Sequence, residues 1–314
     1  MAEIYGEGVH TMDMPTYLGA CTPAPALHAS IAKIMAHKCP AAAWHASELN
    51  PSREREEATR FDIGTAADLA ILTPLEYSTR VRIIDADDFR TKAAKEARDD
   101  ARAAGQIPLL LKHAEMVEGI RHAIDQHPGA QEVLSGGVSQ QTIIWQDKET
   151  SIWCKSRPDR RNAVLVDIKT VPACDSESLE RIVWQHSWYQ QAAWYLEGEA
   201  AIGSGIQQFL FCAIEKDAPH LIKVEPLTDS ALEWGATLNR YAKRRWAHCL
   251  ETGKWPGYPR EAISLPGWAE YRLQQRRELG AYSASERIKQ DDRLHAISDR
   301  LHRPLDWDDE EQTP

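Results

Sequence analysis

Long apolar runs are missing from this chain of 314 residues. No stretch approaches the ~20 residues that a membrane helix needs, so a membrane-spanning reading is set aside. The first segment, MAEIYGEGVHTMDM, has neither a basic n-region nor an apolar h-region. No secretory signal is expected there, and the cytoplasm is the expected location. Cysteine is sparse: six occur, at positions 21, 39, 154, 174, 212 and 249, with no C-x-x-C pair. That spacing argues against a disulfide framework and a zinc cluster and predicts reduced, mostly buried thiols. No H-E-x-x-H occurs among the twelve histidines, and the glycines at 203–205 lack the G-K-[ST] ending of a phosphate loop. No Ser/His/Asp or Cys/His arrangement stands out. Positive charge is short as well. A net charge of −10 is not the basic footprint of a tight nonspecific DNA binder. An enzyme acting on DNA remains compatible with it if basic residues line a channel and acidic ones face outward.

Hydrophobic residues make up 43% and charged residues 27%, the balance of a globular protein. The length suits one large domain or two small ones. With no internal repeat and no low-complexity linker, one domain with terminal extensions is the economical reading. Residues 1–25 form an irregular arm, 26–269 the body, and 270–314 a charged helical extension with an acidic tail. Along the body, helices are expected over residues 26–38, 52–72, 85–105, 107–127 and 229–251. Strands are expected over 77–84, 138–145, 207–214 and 220–224. Leu232, Leu238, Tyr241 and Trp246 are the expected core positions of the helix over 229–251. Gly64 interrupts the second helix, where it costs about 1 kcal/mol relative to alanine. Close packing or the approach of a substrate is its expected reason. After 269, a capping box at Ser283–Glu286 and an apolar stripe of Ile288, Leu294, Ile297 and Leu301 are read.

The stretch from Trp153 to Leu196 organises the chain. Two apolar runs, 151–157 (ending at Pro158-Asp159) and 163–169, flank a polar turn, Arg160-Arg161-Asn162, and a helix follows. Side chains two apart on a strand share a face, so Asp167 and Lys169 point the same way. If the two runs pair as a hairpin, Asp159 comes close to Asp167. Two carboxylates and a lysine then converge, and hard divalent cations prefer such oxygen ligands. An acid between Val166 and Ile168 in a buried run needs a partner. A metal would serve, and so would a plain ion pair with Lys169. Gln191 and Tyr195, four apart, share a face of the following helix. Lys155 and Arg157, two apart, suit phosphate contact on one strand face or edge-strand charge that blocks aggregation.

The order Asp159, then Asp167-Ile168-Lys169, is the signature pattern of the PD-(D/E)xK nucleases. CKSRPD, VDIKT, QAAWYLEG, FDIGTAADLAILTP and WPGYPREAISLPGWA together resemble the RecE-like phage exonucleases (exodeoxyribonuclease VIII and relatives), over residues 27–269. The resemblance implies an α/β PD-(D/E)xK nuclease core, a central mixed sheet flanked by helices. It implies a Mg²⁺-dependent exonuclease (Mn²⁺ substituting) that works 5′ to 3′ on ends of linear double-stranded DNA. It implies a bacterial cytoplasmic setting in phage-type recombination, a single-strand annealing protein as partner, and a homo-oligomer. By the same resemblance Asp159, Asp167, Asp68 and the main-chain carbonyl of Ile168 are metal ligands. Asp159, Asp167, Lys169, Gln191 and Tyr195 form the catalytic group. Lys155, Arg157, Gln191 and Tyr195 meet DNA.

Two positions depart from the family pattern. Asp68 stands where the family has a metal-binding histidine, and Gln140 where it often has an acid. They keep open a rival reading, a DNA-binding or assembly protein of this fold that has lost its chemistry; a structure-specific or single-strand nuclease of the same superfamily is the runner-up among enzymes.

Overall fold

Leu165 and Val171 face one apolar core while Val166 and Ile168 face another. This strand is therefore covered on both sides, and the rest of the chain supplies the covers. The computed structural model describes residues 3–53 and 59–282, with backbone only for 59–61. In chain order the elements begin with β1 (Gly8–His10), α1 (Met14–Leu18), β2 (Ala26–His28), α2 (Ala29–His37), α3 (Pro40–Ala46) and α4 (Thr59–Leu72). Next come α5 (Pro74–Arg80), β3 (Val81–Ile84), α6 (Lys92–Ala103), β4 (Ile107–Leu110), α7 (Leu111–Gln126) and α8 (Pro128–Leu134). Then follow β5 (Val138–Ser139), β6 (Thr142–Gln146), β7 (Trp153–Ser156), β8 (Arg160–Arg161) and β9 (Leu165–Val171). The body closes with α9 (Ser176–Gln185), α10 (Trp188–Ala201), β10 (Phe209–Glu215), β11 (Ile222–Pro226) and α11 (Asp229–Thr252). A second compact unit, described over residues 259–282, contains α12 (Gly267–Glu278). No helix of the described residues is long and apolar enough to cross a membrane.

The architecture is α/β, with mixed sheets flanked by helices. The main sheet has five strands in the order β11-β10-β9-β8-β5, with β9 and β10 parallel and the other pairs antiparallel. A second sheet runs β1-β6-β7-β2, and β3 pairs with β4 in a small parallel ribbon. One face of the main sheet packs with α10, α11 and α2 around Trp194, Trp246 and Met35. The other face, with Cys212 and Ile214, packs on Ile120 and Ile124 of α7 and Leu134 of α8.

Helix α10 is seated tightly. A Cβ at Gly235 of α11 would lie 2.3 Å from the Tyr189 carbonyl oxygen, and one at Gly198 would lie 2.8 Å from the Trp145 ring. Only glycine allows both approaches. Arg161 on β8 holds Glu199 through two bonds of 2.7 and 3.0 Å, and the Trp194 indole donates to the Lys155 carbonyl at 3.0 Å. The helix is thereby tied to both large sheets.

Several expectations are corrected. The runs 151–157 and 163–169 do not pair: β7 joins β6 in the second sheet, and the antiparallel partner of β9 is the two-residue β8. Pro158 follows β7, has no N–H to give a ladder, and lets the chain change sheets. Residues 77–84 begin as a helix, because Pro74 opens α5 at its first turn. The apolar IPLL run precedes α7 as a strand, paired with β3. The strand expected over 138–145 is split at Gln140, which has a positive φ of 51°. The helix expected after β9 is broken at Ser187, also at a positive φ. Residues 26–28 form β2 ahead of α2, and Pro40 opens a further helix, α3. Residues 1–25 are not irregular throughout: β1 pairs with β6, and Asp13 caps α1. On α11, Trp246 is core but Tyr241 is 49% exposed. Among the described residues, no atom beyond its own helix backbone lies within 4 Å of where a Cβ on Gly64 would stand, so close packing is not its reason. The charged start of the 52–72 helix lies at residues 54–58, outside the described residues. So do the capping box, the apolar stripe and the acidic tail.

Candidate active site

Strand β9 fixes the centre. Asp167 and Lys169 stand opposite Phe211 and Ala213 of β10, on the face that α10 covers. Asp167 is 2% exposed. Its Oδ1 accepts from Gln191 Nε2 at 2.8 Å, and its Oδ2 forms an ion pair with Lys169 Nζ. The Lys169 ammonium also sits 5.5 Å from the centre of the Trp188 ring, a cation–π contact. Burial works against its charge, but the carboxylates of Asp167 and Asp159 outweigh that and hold its pKa above the usual lysine value.

Asp159 reaches the same place from the turn before β8. Its Oδ2 accepts from the Ile168 backbone N–H at 2.8 Å. Burial, followed by the charges of Asp167 and Asp68, holds its carboxyl well above the ordinary aspartate range. Asp68 comes from α4 and lies within electrostatic range of Asp167 and Lys169. Burial pushes its carboxyl up to about 7. Asp159 and Asp167 thus meet Lys169 around β9, and Asp68 of α4 is near enough for its charge to bear on them.

The Gln191 amide is fully engaged. Besides Asp167 it donates to Tyr195 Oη at 3.1 Å, and its Oε1 accepts from Lys33 Nζ at 3.1 Å. Tyr195 is buried, and desolvation raises its hydroxyl well above the usual tyrosine value. Lys33, on α2, is a residue that the sequence reading missed. Burial first, then the nearby Lys169 charge, lowers its ammonium to about 7. Its signal in the sequence was a single lysine inside an apolar stripe, which carries no hint of a partner 158 positions away.

Two expected DNA contacts are placed elsewhere. Lys155 is fully buried: Nζ bonds Glu48 Oε2 and the Gly19 carbonyl, both at 2.9 Å. Its strand is interior to the second sheet, so neither phosphate contact nor edge protection describes it. Arg157 donates to the Met12 carbonyl at 2.7 Å, to Thr142 at 3.2 Å and to Gln140 Oε1 at 3.3 Å. Both cations are structural ties. Gln140 lies beside the site, its N–H bonded to the Asp159 carbonyl at 3.0 Å.

The donor chemistry suits a hard divalent cation, since the acids offer oxygen ligands in a place where their own charges repel. The arrangement is not a finished cage. Among the described residues no group of three or more His, Cys, Asp or Glu is gathered so that it could hold a metal ion. Asp159 and Asp167 instead spend oxygens on Ile168, Gln191 and Lys169. All six cysteines are buried and unpaired, as their spacing predicted. Burial raises the Cys174 thiol to about 11 and the Cys212 thiol to about 12, which leaves little thiolate for chemistry.

Comparison with known proteins agrees at the level of the superfamily. A family model described as "PDDEXK-like domain of unknown function (DUF3799)" matches residues 29–264. Among solved structures, a protein from Eubacterium rectale described as a "Putative exonuclease" aligns with a TM-score of 0.53 at 15% identity. The alignment covers 79% of this chain and 92% of that one. At that identity the likeness concerns the fold. No curated protein matches the chain. The matches reach the PD-(D/E)xK level and do not single out the RecE-like subgroup.

Proposed function

This chain belongs to that PDDEXK-like family, and on that premise we propose that it is a divalent-metal-dependent exonuclease. Its substrate is the end of linear double-stranded DNA, degraded 5′ to 3′. The observation that carries this reading is the convergence of Asp159 and Asp167 with Lys169, in the order of the superfamily pattern, under the Gln191 amide. The polarity, a role in phage-type recombination, a single-strand annealing protein as partner and a homo-oligomeric state follow the RecE-like motifs of the sequence.

Asp159 and Asp167 would hold the metal, with Asp68 and the Ile168 carbonyl completing the oxygen set. A hard cation there supplies charge neutralisation and an acidified water. Magnesium, with manganese as a substitute, fits an all-oxygen donor set. Lys169 remains protonated beside the carboxylates and stabilises negative charge that develops on the phosphate. Gln191 orients Asp167 by donating to one of its oxygens. Tyr195 fixes Gln191 in turn.

A second reading has its own observation. Asp68 replaces the histidine of the RecE-like pattern, and no three-acid metal group is assembled among the described residues. A DNA-binding protein that lost its chemistry would carry such changes. One experiment separates the readings. With Mg²⁺ or Mn²⁺ the protein should degrade a linear duplex and spare a closed circle of the same sequence. Equal nicking of the circle favours an endonuclease. Binding without digestion in either metal favours the inactive reading.

A further inference from the structure

Outside the acids and lysine of β9, a groove of about 910 Å³ opens between α9, α11 and the β10–β11 edge. Two tryptophans on its lining are unusually open: Trp184 of α9 is 71% exposed and Trp234 of α11 is 65% exposed. Apolar rings left in water at a concave site mark a binding surface. Trp184 lies parallel to Tyr189, with centroids 6.1 Å apart and planes 5° apart, so it is held as a platform. The groove shares Trp188 with the catalytic centre, because Lys169 sits over that ring.

His37, Trp184 and Tyr189 also line a smaller adjoining pocket of about 450 Å³, with Lys33 and Lys38. No acid lines that pocket; the acids of the groove, Glu180 and Glu225, line the groove alone. Lys33 in turn bonds Gln191, whose amide bonds Asp167. A pocket lined by Lys33 and Lys38, with no acid in its lining, therefore adjoins the aromatic groove, and Lys33 links it to the β9 site through Gln191.

We propose that this groove is the track for an unpaired DNA strand: phosphates pass Lys33 and Lys38, and bases stack on Trp184 and Trp234. The inference rests on the nuclease reading and adds what that reading leaves open, the path of a single strand beside the site. Bases inside a duplex are stacked on one another, whereas unpaired bases offer free faces to an indole. Lys38 supplies most of the sequence-independent attraction to the backbone, and Lys33 adds to it where it is protonated. A protein segment docking through apolar contacts alone would leave the acid-free lysine pocket without a purpose.

The test uses the full chain in chelator, where no cleavage occurs, with a fluorescently labelled oligothymidylate read by anisotropy. The double substitution Trp184→Ala and Trp234→Ala should weaken binding by about tenfold or more, on the scale of one or two lost stacking contacts. Trp184→Phe, which keeps a ring, should retain most of the affinity. Lys38→Gln should reduce the salt slope by about one. Both tryptophans are exposed, and an unchanged melting temperature will show that the variants fold. Wild-type affinity in the double variant overturns the proposal. So does a wild-type protein that does not bind the oligothymidylate, which would leave the groove to a protein partner. Because no metal is present, the result does not depend on catalysis. Binding with no digestion in Mg²⁺ removes the nuclease reading and leaves the track standing.

Discussion

Gln191 Nε2 donates to Asp167 Oδ1 at 2.8 Å, and through this bond α10 controls the orientation of a buried carboxylate on β9. The same amide receives Lys33 from α2. Partners of this kind, which hold a metal-ligating group in place, change activity or metal affinity by about 10–100-fold when removed. Gln191→Ala should fold normally and lose cleavage on that scale, while Gln191→Glu should fail to restore it, since its carboxylate repels Asp167. Steady-state digestion rates compared at matched melting temperatures check this.

Asp68 stands where the RecE-like pattern that the sequence resembles has a metal-binding histidine. A neutral imidazole would leave two carboxylates where three now sit. Metal that binds only the native state stabilises it, so Mg²⁺ should raise the melting temperature of the wild type. Asp68→Ala should reduce that rise and the cleavage rate together. Asp68→His should keep or increase activity. If Asp68→Ala matches wild type in both readouts, Asp68 is not a ligand.

The Lys155–Glu48 pair is structural. With both side chains out of solvent, removing one partner strands a buried charge, and about 3–5 kcal/mol is the expected loss. Glu48→Ala should therefore lower urea stability strongly. Lys155→Ala should do so too, through the lost bonds to Glu48 and Gly19. A Lys155→Ala protein of full stability but weakened DNA affinity would restore the phosphate-contact reading.

His28 gives a pH signature. Burial, then the charges of Lys155 and Arg53, lowers its pKa to about 3 from an ordinary 6.5. The folded state thus keeps the ring neutral where the unfolded chain binds a proton. That contribution is intact above pH ~6.5 and is lost as pH falls toward ~3, at up to about 1.4 kcal/mol per pH unit. His28→Gln should flatten the acid limb of the stability curve relative to wild type. Parallel curves from pH 7 to pH 4 would mean that His28 protonates freely in the fold.

What the sequence made legible was local. Asp167 and Lys169 share a face because a strand has period two, and that needs no knowledge of the fold. The nearness of Asp159 was also foreseen, but through the wrong hairpin, since Pro158 sends the preceding strand to another sheet. Positive φ at Gln140 and Ser187 broke elements that composition reads as continuous. Lys155 looked like a surface charge because its neutralising partner, Glu48, is 107 positions away. Lys33 was invisible for the same reason. Its role comes from α2 crossing α10, a tertiary contact that no local spacing encodes.

The central claim is that Asp159, Asp167 and Lys169 form a working phosphodiesterase centre. The direct measurement is digestion of an end-labelled linear duplex in Mg²⁺ by the wild type and by Lys169→Ala. The wild type should digest the duplex, and chelator should stop it. Lys169→Ala, with an unchanged melting temperature, should be at least ~100-fold slower, the scale of a positioned charge-stabilising or acid–base group. Digestion that survives chelator, or wild-type rates in a folded Lys169→Ala protein, would contradict the account.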